Sequence, residues 1–380
     1  PGTQIKAAIQ DQGKQVAAGM GNAADPLIIT LAQPKHWSPG SPHLYDLEIA
    51  ILDDGQVIDR VRSYFGMRKF SLDRDTDGNL RFFLNNRPYF LYGPLDQGYW
   101  PDGLYTAPTD EAHRWEIDFI KQAGFNMLRK HVKVEPARYY YHCDRAGVIV
   151  WQDMPSGGIS PKPIWFQFAK RFSRLCDSWC YWRLGRGRQA NREAFKQEYH
   201  RMLDALYNKV SIAIWGPFNE GWGQFNSAKL AEWSKQYDPS RLVDHASGWF
   251  DQCAGDFKSE HIYHKALPAP DPDPDRGWVL SEFGGYHLNL SAHAWDPDQE
   301  FGYRQFEDCD SLTAAYCALL ENQLIQWVKA GLSAAVYTQT TDVETEVNGF
   351  LTYDREVIKM NLEAIQKAHA SLYRAGGQSR

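Results

Sequence analysis

The chain lacks a basic surplus. Its 41 Lys and Arg are outnumbered by 47 Asp and Glu, for a formal net charge of −6. That balance argues against a nucleic-acid partner, which normally demands a positive field. Two local basic stretches, Lys121 to Lys133 and Arg183 to Arg192, read as solvated helix faces. No apolar run approaches the ~20 residues that span a bilayer, so no transmembrane helix is expected. The six cysteines (Cys143, Cys176, Cys180, Cys253, Cys309 and Cys317) include no CxxC pair. A zinc ribbon or thioredoxin-like motif is therefore excluded, and so sparse a set does not suggest a disulfide framework. Most are expected to be buried thiols, which leaves the redox compartment undecided. The chain starts at Pro1 rather than Met, so its start says nothing about a signal peptide. No GxGxxG follows an early strand, and neither GxSxG nor HExxH occurs. A dinucleotide-binding sheet, a serine hydrolase and a zinc peptidase thus find no support.

What is present suits a folded, multi-domain chain. At 380 residues the sequence exceeds the ~250–300 at which single cores stop growing. Hydrophobic residues make up 43% and charged residues 23%, so disorder is not the default. Aromatics reach 14%, with 14 Trp. Rings build cores, but they also stack on the C–H faces of sugars, and a Trp-rich acidic chain fits a carbohydrate ligand.

Residues 1–70 read as β. Apolar or alternating runs at Ile5–Ile9, Leu27–Leu31, His43–Leu52 and Val57–Phe65 are separated by turn signals at Gln12-Gly13, Pro39–Pro42 and Asp53-Asp54-Gly55. Strands at this spacing predict a β-sandwich. From residue 71 to 380 short apolar runs alternate with amphipathic stretches. Strands are expected at Arg87–Leu91, Asn126–Arg129, Val148–Trp151, Ile212–Trp215, Arg241–Asp244, His261–Tyr263, Trp278–Leu280 and Ala334–Thr338. Helices fall between most of them, including Glu111–Ala123, Pro136–Ala146, Lys229–Gln236, Thr313–Ala330 and Asp354–Ser371. Eight strands with intervening helices predict an α/β chain with a (β/α)8 TIM barrel, whose substrate site lies at the C-terminal ends of the strands.

Two of those strands run into glutamates. Ile212-Ala-Ile-Trp-Gly-Pro-Phe-Asn-Glu220 ends at Asn219-Glu220, and Trp278-Val-Leu-Ser-Glu282 ends at Glu282 before Phe283-Gly-Gly285. A single strand-end Glu is usually an ordinary loop residue. Two of them flanked by aromatics, one preceded by Asn, meet the requirement of glycoside hydrolysis for two carboxyls. Asn219 can hydrogen-bond a sugar 2-hydroxyl. His261 and His264 are spaced like metal ligands, but on a short strand around Tyr263 they are weak evidence for one.

At these residues the sequence resembles glycoside hydrolase family 2, the family of β-galactosidases, β-glucuronidases and β-mannosidases. The resemblance is carried by His36-Trp-Ser-Pro-Gly-Ser-Pro-His-Leu-Tyr45, Ser63-Tyr-Phe-Gly-Met-Arg68, Asn86-Arg-Pro-Tyr89, Gly124-Phe-Asn-Met-Leu-Arg-Lys-His131, Trp215 to Glu220 and Ser281-Glu-Phe-Gly284. It implies an immunoglobulin-like sandwich, incomplete over residues 1–70, followed by the catalytic barrel, without the family's N-terminal jelly roll. It implies Glu220 as acid/base and Glu282 as nucleophile. Arg129, His131 and Tyr263 match residues that support the nucleophile or bind sugar. Asp96 and Gln97, Asp153, Trp222, Gln339 and Asp342 are expected around the glycone. No metal and no cofactor are expected, because the metal ligands of the large β-galactosidases have no counterpart around Trp151–Pro155. The Asn-x-Lys uronate grip of β-glucuronidases is not apparent near Val347–Phe350. The expected activity is a retaining exo-β-glycosidase, with β-galactoside the first guess. Alternatives are an endo-glycanase on the same barrel and a non-catalytic carbohydrate-binding protein. The partner is a carbohydrate, with no nucleic acid or membrane; a homo-oligomer is compatible.

Overall fold

The computed structural model describes residues 3–157, 177–179, 181–263 and 267–378. Strands β1 (Gln4–Asp11), β2 (Lys14–Asn22), β3 (Tyr45–Asp53) and β4 (Gln56–Phe65) form an antiparallel sheet in the order β2-β1-β3-β4. Its two hairpin tips place Gln12-Gly13 and Asp54-Gly55 at positive φ, the conformation two-residue hairpins favour. This sheet is the β-rich N-terminal domain. The expected strand at Leu27–Leu31 is not one; the second strand is Lys14–Asn22. Its Ala- and Gly-rich sequence hides a weak β signal. Leu27 and Ile29 instead lie over Gly19, where a Cβ would meet Ile29 at 2.9 Å and Leu27 at 3.3 Å.

Strands β5 (Phe70–Arg74), β6 (Leu80–Leu84) and β7 (Arg87–Pro88) form a small sheet at the foot of the barrel. Its Phe70, Phe82 and Leu84 join Trp37 in one cluster with the barrel interior, including Leu91, Met127, Ile149, Trp151 and Val336. The barrel is made of β8 (Leu91–Asp96), β9 (Met127–Lys130), β10 (Ile149–Asp153), β11 (Ile212–Gly216), β12 (Leu242–Val243), β13 (Phe257–Ile262), β14 (Gly277–Gly284) and β17 (Leu332–Thr338); β15 (Tyr286–His287) and β16 (Arg304–Gln305) pair outside it. The hydrogen-bonded order is β12-β11-β10-β9-β8-β17-β14-β13. Between the two ends, the Asp256 backbone N–H donates to Val243 O at 2.8 Å, and its carboxylate accepts from the Val243 N–H at 2.8 Å. This is the expected (β/α)8 TIM barrel.

Strand alternation decides which side chains reach the cavity. On β9, Met127 and Arg129 face inward while Leu128 packs in the outer cluster with Tyr139 and Tyr140. Helices Asp110–Gln122, Ala137–Ala146, Gln189–Leu206, Ser227–Tyr237, Cys309–Leu319 and Leu362–Ala375 cover the outside. Thr109, Asp308 and Asn361 cap three of them through their side chains, which satisfies otherwise orphaned N–H groups. The helix expected over Thr313–Ala330 is interrupted by a π segment at Leu320–Leu324. Of the described cysteines only Cys143 is buried; Cys253 is exposed, and all four are free thiols. Cys176, Cys180 and His264 lie outside the described residues. No described helix is long and apolar enough to cross a membrane.

Candidate active site

The chain leaves β11 through Pro217-Phe218 and turns sharply at Glu220, where φ is 53°. Ser247 N–H donates to Phe218 O, and Glu220 N–H donates to Ser247 O, both at 2.9 Å. These bonds extend the ladder past the end of β12 and fix Asn219 and Glu220 at the barrel mouth. Gly221 follows at φ 74°; a Cβ there would meet the Phe250 ring at 2.3 Å, so the turn needs glycine. On the opposite wall, Glu282 lies within β14. Register shifts at Glu260/His261 on β13 and at Leu280/Phe283 across the pair with β17 surround it, and such bulges re-aim side chains.

The two glutamates converge. The ligand atoms of Glu220, His261 and Glu282 all lie within 4.8 Å of one another. Arg129, fully buried, organises the floor beneath them. Its Nε donates to Asp153 Oδ1 (3.2 Å) and its Nη2 reaches Asp153 Oδ2 (2.8 Å) and Asn219 Oδ1 (2.8 Å). Its Nη1 donates to Ser281 O (2.9 Å) and Glu282 Oε1 (3.2 Å). A guanidinium has five N–H groups, and every one has an acceptor here. His131 Nδ1 is 3.3 Å from Asp153 Oδ2. The Tyr263 hydroxyl donates to Glu282 Oε2 and lies 2.9 Å from Thr338 Oγ1.

Burial raises the Glu220 carboxyl above the ordinary glutamate range, with His131 and Arg129 opposing it. Trp215 faces outward, donating its indole N–H to Asp238 Oδ2 at 3.0 Å. Trp222 stands at the rim, 38% exposed. His261, by its spacing only weak evidence for a metal, bridges the pair. Its Nδ1 is 3.0 Å from Glu220 Oε1 and 3.4 Å from Glu282 Oε2, and its Nε2 is 3.0 Å from Ser247 Oγ. Burial pushes His261 down to about 4, against the raising charge of Glu282, so the imidazole is neutral at neutral pH. Tyr303, which no motif marked, stacks on Tyr263 with centroids 3.8 Å apart.

Two expected glycone contacts sit elsewhere. Asp96 points away from the cavity because Leu95 is the inward residue of that strand end. Its Oδ2 accepts from Lys130 Nζ (3.1 Å) and Tyr139 OH (2.6 Å). Asp342 is buried against Lys359 Nζ (2.7 Å) and the Gly349 N–H (2.7 Å). Gln339 is fully buried, with its amide engaged by Gln97 and Asn348. Asp153 holds Arg129 and His131 and is itself 1% exposed. Arg129, His131, Asn219, Glu220, Tyr263 and Glu282 are thus brought together. As for metals, Glu220, His261 and Glu282 could ligate an ion between them; a second cluster, His293, Asp354 and Glu356, lies near the surface.

A TIM barrel with two convergent carboxyls at its mouth defines the class of protein. Family models place it more finely: residues 2–68 match glycosyl hydrolases family 2, and residues 80–269 match the TIM barrel domain of that family. The chain belongs to glycoside hydrolase family 2. A β-galactosidase of Photobacterium profundum is 27% identical over 296 residues, 71% of this chain and 26% of that protein. The β-glucuronidase of Bifidobacterium dentium, solved with coumarin-3-O-glucuronide, superposes with a TM-score of 0.74 at 17% identity, covering 97% of this chain and 61% of that one. An FMN-binding β-glucuronidase from Facaelibacterium prausnitzii L2-6 gives a TM-score of 0.71 at 18% identity, with 97% and 57% covered. The chain spans less than a third of the length of the curated relatives it matches.

Proposed function

We propose that this chain carries the catalytic centre of a retaining exo-β-glycosidase. The observation that carries the reading is the carboxyl separation. One oxygen of Glu220 and one of Glu282 lie within 4.8 Å, a close approach that favours the ~5–5.5 Å carboxyl separation of retaining enzymes over the ~6.5–9.5 Å that inversion needs for a water. Glu282 attacks the anomeric carbon as a carboxylate while Glu220 passes its proton to the leaving oxygen. The bond to the aglycone breaks and a glycosyl ester of Glu282 forms. Water then attacks the same carbon, Glu220 takes its proton, and the ester bond to Glu282 breaks. Burial of Glu220 supports this assignment, since the acid must start protonated near neutral pH. Asn219, whose Oδ1 is held by Arg129, keeps its amide N–H groups for the sugar 2-hydroxyl. Removal of a terminal sugar is supported by the relatives' names, β-galactosidase and β-glucuronidase, and a β-galactoside is the first substrate to try.

The test is a panel of aryl β-glycosides with the wild type, Glu220→Gln and Glu282→Gln. Release from at least one sugar, lost in Glu282→Gln and, for a poor leaving group, in Glu220→Gln, is the expected result. Azide should rescue Glu220→Gln as a β-glycosyl azide, whereas any azide product of Glu282→Gln should be the α anomer. Full activity in Glu282→Gln refutes the assignment.

A further inference from the structure

Beside the two glutamates, the barrel mouth carries a closed circuit of four side chains. Gln97 follows β8, Gln339 follows β17, and Glu346 and Asn348 lie on the segment beyond it. Gln97 Nε2 donates to Gln339 Oε1 at 2.8 Å and to Glu346 Oε2 at 3.2 Å. Gln339 Nε2 donates to Asn348 Oδ1 at 2.8 Å, and Asn348 Nδ2 donates to Glu346 Oε1 at 2.9 Å. Gln339 and Asn348 are fully buried, whereas Gln97 and Glu346 keep partial exposure. Both N–H groups of Gln97 are used inside the circuit. What the two exposed members turn outward is therefore acceptor: the Gln97 carbonyl and the unused lone pairs of the Glu346 carboxylate.

The circuit adjoins the reacting centre. Thr338, the residue before Gln339, bonds the Tyr263 hydroxyl that donates to Glu282. Tyr303, stacked on Tyr263, has its phenol raised by burial and then by the charges of Glu282, Glu346 and Glu220. One ring thus lies in the field of all three carboxylates. Among the described residues, three lysines nearby are already engaged. Lys130 pairs with Asp96 (3.1 Å) and Glu135 (2.6 Å), Lys133 with Glu135 (2.8 Å), and Lys359 with Asp342 (2.7 Å).

We propose that the circuit of Gln97, Gln339, Asn348 and Glu346 is the wall that reads the glycone. It accepts the hydroxyl donors of an uncharged sugar and rejects a uronic acid by its fixed negative charge. The inference rests on the glycosidase reading above and narrows its substrate class. A hydroxyl donated to a carboxylate makes a charge-assisted bond. A sugar carboxylate in the same place would meet a like charge, and Lys130, Lys133 and Lys359 are already paired.

The experiment compares kcat/KM on 4-nitrophenyl β-galactoside, β-glucoside, β-mannoside and β-glucuronide for the wild type, Glu346→Gln and Gln97→Glu, each checked for a folded circular-dichroism spectrum. The wild type should favour its best neutral sugar over the glucuronide by more than about a hundredfold, the scale of one like charge ~6 Å away at an effective dielectric near 20. Glu346→Gln should narrow that ratio by about tenfold or more, and Gln97→Glu should widen it. A wild type that prefers the glucuronide, or a ratio unmoved by both variants, overturns the proposal. If no glycoside is cleaved by the wild type, the glycosidase reading fails, and the wall is judged by binding. A larger thermal shift with galactono-1,4-lactone than with glucaro-1,4-lactone supports it, and the reverse order overturns it.

Discussion

Replacing Arg129 should separate the structural from the chemical role of the site's floor. The guanidinium is fully buried and its five N–H groups serve Asp153, Asn219, Ser281 O and Glu282. Arg129→Met fills similar volume but leaves two buried carboxylates, at 2% and 6% side-chain exposure, without their cation. Removing one partner of a buried ion pair costs about 3–5 kcal/mol. For a chain of this size that corresponds to a fall in Tm of about 4–6 °C. Arg129→Lys keeps the charge but offers three donors on one atom, so it cannot reach Asp153, Asn219 and Glu282 together. It should recover most of the stability and little of the activity, with kcat/KM on the best aryl glycoside down by about a hundredfold or more, the worth of two misplaced charge-assisted bonds. Differential scanning calorimetry and steady-state kinetics on both variants decide this. An Arg129→Met protein as stable as the wild type, or an Arg129→Lys protein with unchanged kcat/KM, would show that the five-bond floor does not set the geometry of Glu282.

Three further outcomes follow from the same geometry. Tyr263→Phe removes the hydroxyl that donates to Glu282 and should lower kcat by about ten- to a hundredfold, the value of a bond to a charged acceptor, with Tm little changed. Activity should fall as pH rises through the raised value of Glu220, because only its protonated form can donate; in His131→Asn that alkaline limb should move to still higher pH, since His131 is the larger of the charges opposing the rise. Asp244 is fully buried and pushed up to about 6 by burial, above its ordinary 3.8. The fold therefore favours its protonated form, and stability is lost as pH rises from about 4 through 6, by about 3 kcal/mol at ~1.4 kcal/mol per pH step. Asp244→Asn should flatten that loss, as read from Tm at pH 4, 6 and 8; an unchanged pH profile would place the titration elsewhere.

The resemblance to the family pointed to Arg129, His131 and Tyr263, while the sequence alone determined the barrel and the strand that carries each glutamate. Each rests on a local pattern: an apolar run that ends at a polar residue reports a strand entering the cavity mouth. It did not determine facing at the strand ends. Asp96 and Gln97 are adjacent acids and amides at the same rim, and only the tilt and pairing of β8 with β9 and β17 turn Gln97 inward and Asp96 onto Lys130. Nor could it pair residues distant in the chain. His261 lies between Glu220 and Glu282 because β13 shifts register against β14 by one residue just before it. The circuit joining Gln97 to Glu346 spans 249 positions and exists only because the first and last strands of the barrel are neighbours. Local periodicity encodes the direction of a strand; the closure of the sheet decides which side chains meet inside it.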